Sequence, residues 1–163
     1  MQPVVYKYTS TKEYVDQFPC AYRQWRADSH CRFIHGYALS FKFEFECDEL
    51  DVRNWAMDYG GLRPLKDFLE EHFDHTMLVA TDDPMRDELM KLKDLGLAQI
   101  TEVSRTGCEG LADYLYKYVN GIFLPNYGVE EAKRLWCSKV EVRETDANMA
   151  MRVGHREDNE ELF

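Results

Sequence analysis

Ala38-Leu-Ser-Phe-Lys-Phe-Glu-Phe-Glu-Cys47 decides the fold class of this chain. Leu39, Phe41, Phe43, Phe45 and Cys47 fall on one side of an extended backbone, and Ser40, Lys42, Glu44 and Glu46 on the other. Period two sustained over ten residues predicts a half-buried strand of an antiparallel sheet. Outward from it, the apolar stretches at 4–8 and 18–22 read as two earlier strands. After Gly60-Gly61 the period changes. Leu62, Leu65, Phe68, Leu69 and Phe73 form one helical stripe with acidic residues opposite. Asp83-Pro84 opens a second, more polar helix that Gly96 ends. Residues 97–103 read as a short extended segment. Thr106-Gly-Cys-Glu109 has the spacing of a capping box before a helix carrying Leu111, Leu115, Tyr118 and Val119. Residues 140–145 alternate again, and 148–153 are the expected hairpin partner. Strands, then helices, then strands means α+β.

The 163 residues, 45% of them hydrophobic, suit a single domain with a real core. We expect that domain over residues 1–154, with 155–163 an acidic, mobile tail. A formal charge of −10 repels phosphate backbones, which disfavours nucleic acid as a partner. No apolar run spans a membrane. Met1-Gln-Pro-Val-Val-Tyr-Lys-Tyr lacks a basic-then-apolar signal pattern, and the five cysteines are scattered, so a cytoplasmic protein without a disulfide framework is expected.

Three places carry residues fit for chemistry. In Ser29-His-Cys-Arg-Phe-Ile-His-Gly-Tyr37, two histidines and a cysteine are ligand types that zinc prefers. Extending the strand alternation backward puts His35 and Tyr37 on the inward face, where His35 is either a metal ligand or an imidazole bonded to backbone. His30 is either a ligand or a loop residue. Asp74-His75 sets a carboxylate beside an imidazole, as a general-base pair requires, or as a helix end with a surface histidine. Glu144 shares its strand face with Val140 and Val142, so a carboxylate points toward the core or ends the strand in water.

Phe18-Pro-Cys-Ala-Tyr22, Cys31-Arg-Phe-Ile-His35-Gly-Tyr37, Asp58-Tyr59, Phe73-Asp-His75, Gly107-Cys-Glu109 and Arg143-Glu-Thr145 follow one another in this order. The succession resembles the 6-pyruvoyl-tetrahydropterin synthase superfamily, especially its 6-carboxy-tetrahydropterin synthase branch, which serves queuosine and 7-deazaguanine synthesis. The resemblance runs from about residue 4 to 152. It implies a tunnelling fold (T-fold), a four-stranded antiparallel sheet with helices on one face, whose subunits join into a barrel, usually a hexamer with sites at subunit contacts. It implies a lyase acting on 7,8-dihydroneopterin triphosphate, giving a 6-carboxy- or 6-pyruvoyl-type product, with a zinc ion at the substrate side chain. By position, Cys31 would be the side-chain acid or base, Asp74 and His75 the proton relay, and Glu144 the pterin anchor. His35 matches one of the family's three zinc-binding histidines. Tyr22 and Tyr37 stand where the other two are expected, and a rearranged metal site would draw on His30. Without a metal, a non-catalytic pterin- or purine-binding relative is the alternative.

Overall fold

The computed structural model describes residues 7–158. One sheet of six strands organises it, in the order β4-β3-β1-β2-β5-β6. The strands are β1 (Tyr8–Tyr22), β2 (His35–Cys47), β3 (Thr76–Ala80), β4 (Gln99–Val103), β5 (Leu135–Arg143) and β6 (Met149–Val153). Strands β1, β2, β5 and β6 form the expected antiparallel quartet. Two short parallel strands, β3 and β4, extend it beyond β1 and make the strand count six rather than four.

The apolar side of β2 is buried as its alternation predicts, while Ser40 and Glu46 on the other side are buried as well. Leu39, Phe41, Phe43 and Phe45 are fully buried. Helices α1 (Arg63–Phe73) and α3 (Cys108–Tyr118) cover that face. The predicted stripe of α1 delivers Leu65, Leu69 and Phe73 to the core, with Phe73 tilted on Phe41 at 5.0 Å between ring centres. Each such side chain contributes about 1.5–3 kcal/mol of burial. α2 (Arg86–Asp94) follows β3, and a π-helical turn (Val119–Phe123) with α4 (Leu124–Tyr127) and α5 (Val129–Arg134) leads into β5.

Some local readings change. Residues 18–22 are the end of one long strand, which bulges between Tyr14 and Phe18 with Asp16 at positive φ. Of the stretch 4–8, residues 4–6 lie outside the described residues and Tyr8 begins β1. β3 was not foreseen: Thr76–Ala80 is buried on both faces and therefore has no period to read. The helix at 108 starts without a side-chain cap, because Thr106 Oγ1 donates to the Arg23 carbonyl at 2.8 Å instead. At the expected tail, Arg156 donates to the carbonyls of Ala132 and Leu135 and His155 pairs with Glu46; residues 159–163 lie outside the described residues. All five cysteines are free. No helix among the described residues is long and apolar enough to cross a membrane.

Candidate functional site

Antiparallel pairing brings three chain segments to one end of the sheet. The register sets Tyr22 opposite His35 and Cys20 opposite Tyr37, while Ser40 opposite Arg143 puts Glu144 just past the end of β5 beside them. The N-terminus of α3 closes the corner with Cys108. It follows Gly107, whose φ of +94 is a conformation that a side chain resists.

Glu144 does point inward. The fully buried Tyr22 donates its hydroxyl to Glu144 Oε1 at 2.6 Å, across 122 residues of sequence. The Cys108 thiol lies within electrostatic reach of the same carboxylate. Burial first, and the Glu144 bond second, push the Tyr22 hydroxyl far above its ordinary range. Cys108 is pushed up to about 12, mainly by burial and then by Glu144. The Tyr22 hydroxyl stays protonated and is the fixed donor that holds Glu144 Oε1. Burial also raises the Tyr37 phenol, followed by the charges of Glu144, Cys31 and Cys108. That mutual influence places Cys31, half-exposed on the turn His30–Arg32, within electrostatic reach of the corner.

His35 is half-buried, and its Nδ1 lies 2.7 Å from the Phe33 carbonyl. A carbonyl only accepts, so Nδ1 carries the proton and Nε2 of the neutral ring is an acceptor. The rings of Tyr22, His35 and Tyr37 form a triangle with centres 5.7, 5.1 and 6.0 Å apart. A tetrahedral zinc holding three imidazoles sets their ring centres about 5 Å apart. The scaffold therefore has the dimensions of a three-histidine centre, but the donors do not fit one. Two of the three rings are phenols, which ligate as phenolates. Burial and Glu144 push both away from ionising. Tyr22 already spends its hydroxyl on Glu144. His30 is exposed on its turn, and no group of three His, Cys, Asp or Glu side chains among the described residues could hold a metal.

Asp74 and His75 stand elsewhere. Asp74 ends α1, and His75 Nδ1 lies 2.6 Å from Asp74 Oδ1. The pair that adjacent sequence positions do not guarantee is thus formed. A left-handed backbone at His75 (φ +53) allows it, fixed by the bond from His75 N–H to the Pro19 carbonyl at 2.7 Å. The imidazole side chain is 82% exposed. It lines an open groove of about 490 Å³ with Pro19, Ala21, Gly36 and Ala38, to which the intervening Cys20 and Tyr37 also contribute. The first four alternate with Phe18, Cys20, Tyr22 and Leu39, so the groove opens on the sheet face opposite the Tyr22–Glu144 corner. Within one chain, Cys31 and Glu144 gather on one face and the Asp74–His75 pair on the other.

The arginines near the corner are mostly spent. Arg23 grips the buried Asp83 through two bonds of 2.8 and 2.7 Å, and Arg26 pairs with Asp82 at 2.9 Å. Sequence reasoning left Cys108 and the Tyr22 hydroxyl without a role. Cys108 stands in a helix-start motif that suggests capping, and an apolar strand position hides a phenol's reach.

Residues 11–154 match the family described as 6-pyruvoyl tetrahydropterin synthase. No curated protein matches the chain. Among solved structures, an uncharacterized protein from Wolinella succinogenes superposes with a TM-score of 0.77 at 21% identity, covering 92% of this chain and 99% of that one. The 6-pyruvoyl tetrahydropterin synthase of Plasmodium vivax superposes at 0.63 with 12% identity, over 90% and 97% of the two chains. That of Caenorhabditis elegans does so at 0.57 with 18% identity, over 90% and 96%. At these identities the likeness is one of fold.

Proposed function

The chain belongs to the 6-pyruvoyl tetrahydropterin synthase family, and from that premise we propose that it is a pterin synthase-like lyase acting on 7,8-dihydroneopterin triphosphate, with a 6-carboxy- or 6-pyruvoyl-type product. The observation that carries this reading is the inward Glu144 carboxylate, held by Tyr22. A fixed carboxylate at a half-buried position is complementary to an edge with two parallel N–H donors, such as the N3–H and 2-amino group of a pterin. Cys31, beside the same corner, would exchange a proton with the substrate's side-chain carbons, and departure of triphosphate would complete an elimination. The Asp74–His75 pair would be the proton relay. Because it opens on the opposite sheet face, it would serve the corner of a neighbouring copy, in keeping with the homo-oligomer, a hexamer, that the resemblance implies.

Incubation with 7,8-dihydroneopterin triphosphate tests the proposal, with product and released triphosphate followed by mass spectrometry. Turnover that Cys31→Ala and Glu144→Gln abolish is the expected result. Binding without any triphosphate release would favour the second reading, a non-catalytic pterin or purine binder. The two phenols in the ring triangle speak for that second reading, since they remove the usual donors for a metal. Absence of both binding and release would sink both.

A further inference from the structure

The corner that a zinc ion would occupy in a three-histidine version of this scaffold is already wired internally. The Tyr22 phenol, one vertex of the ring triangle, ends on Glu144 Oε1 at 2.6 Å. Tyr22 is fully buried, whereas Glu144 at the other end of the bond is half-exposed and open to a ligand. A metal in the triangle would have to take the phenol from Glu144 and ionise it against its burial. His35 supplies one acceptor nitrogen, and a single imidazole does not hold zinc.

We infer that this corner is metal-free and that Tyr22 is a positioning residue, which aims Glu144 at the N–H edge of the bound heterocycle. The inference rests on the pterin reading above for its ligand class, but not for its metal claim. The physical consequence is selective. A carboxylate fixed by a buried donor presents its remaining lone pairs in one direction. It should reward a ligand edge with two N–H donors and penalise one that offers a carbonyl oxygen. Pterin and lumazine differ in this respect, carrying an amino group and an oxo group respectively at C2.

Two measurements test it. The first is zinc content after incubation with equimolar zinc and gel filtration. The wild type should retain under about 0.1 equivalent per chain, and Tyr22→His/Tyr37→His, which completes the histidine triangle, about one equivalent. Near one equivalent in the wild type, lost in His35→Ala, would overturn the metal claim. Should the double variant not fold, the wild-type value decides the claim by itself.

The second measurement is fluorescence titration with pterin and with lumazine, both in the presence of a chelator. The wild type should prefer pterin by about tenfold or more, and Tyr22→Phe should cut that ratio at least several-fold. Equal weakening of both ligands in Tyr22→Phe would mean that Tyr22 only packs, and would overturn its positioning role. A wild type that binds neither ligand would remove that role together with the pterin reading, while the zinc measurement would still decide the metal claim.

Discussion

At the scale of single residues, reach and backbone conformation decide function. Tyr22 stands at a strand position where a smaller aromatic ring would only pack, yet its hydroxyl spans to Glu144. His75 shows the converse. Its partner is its own sequence neighbour, and the backbone that seats the pair is left-handed. Asparagine tolerates that conformation and alanine resists it, so His75→Asn is the cleaner probe. With the side chain 82% exposed, this substitution should leave the melting temperature within about 2 °C of wild type. If the pair relays protons, the rate of triphosphate release should fall about 10²–10⁴-fold. Unchanged turnover in a stopped assay would remove Asp74 and His75 from the mechanism. Asp74-His75 and Glu144 were legible in sequence as residue types. The direction in which the pair opens was not, because that depends on the turn that seats it against Pro19.

At the scale of elements, the start of α3 positions the corner. A Cβ at Gly110 would lie 2.5 Å from the Arg105 carbonyl oxygen and 2.7 Å from Arg105 Cβ. The first turn of α3 can sit this close to the preceding loop only with glycine there, and Cys108 is part of that turn. Gly110→Ala should therefore destabilise by about 1–3 kcal/mol in urea unfolding. Gly121, in the π-helical turn, has open space around it, and Gly121→Ala should be neutral or stabilise by up to about 1 kcal/mol. A reversed order of these two would refute the crowding argument. The periodic elements could be read from sequence because each has one wet face. β3 could not, because a strand buried on both faces has no alternation.

At the scale of the whole molecule, the buried Arg23–Asp83 pair ties the end of β1 to the loop after β3. The Asp83 side chain is 1% exposed, and the Arg23 bonds foremost hold its carboxyl below the usual carboxylate range. A carboxyl whose pKa is depressed on folding stabilises above its unfolded value, about 4, and loses that contribution as pH falls further. Asp83→Asn should cost about 2–4 kcal/mol at pH 7, since it strands a partly buried guanidinium. The gap to wild type should narrow below pH 4 in thermal melts. A gap independent of pH would mean that the loss is one of packing. The amino-acid sequence by itself determined what is periodic or local: the antiparallel strand at 38–47, the stripe of α1, and the order of motifs that marks the family. Tertiary structure alone decided that β3 and β4 extend the sheet, that the Tyr22 hydroxyl reaches Glu144, and that the Asp74–His75 pair opens away from that corner. The reason is physical. Periodicity records which side of one element is dry, whereas these features depend on strand register and on contacts between residues as much as 122 positions apart, which no local pattern encodes.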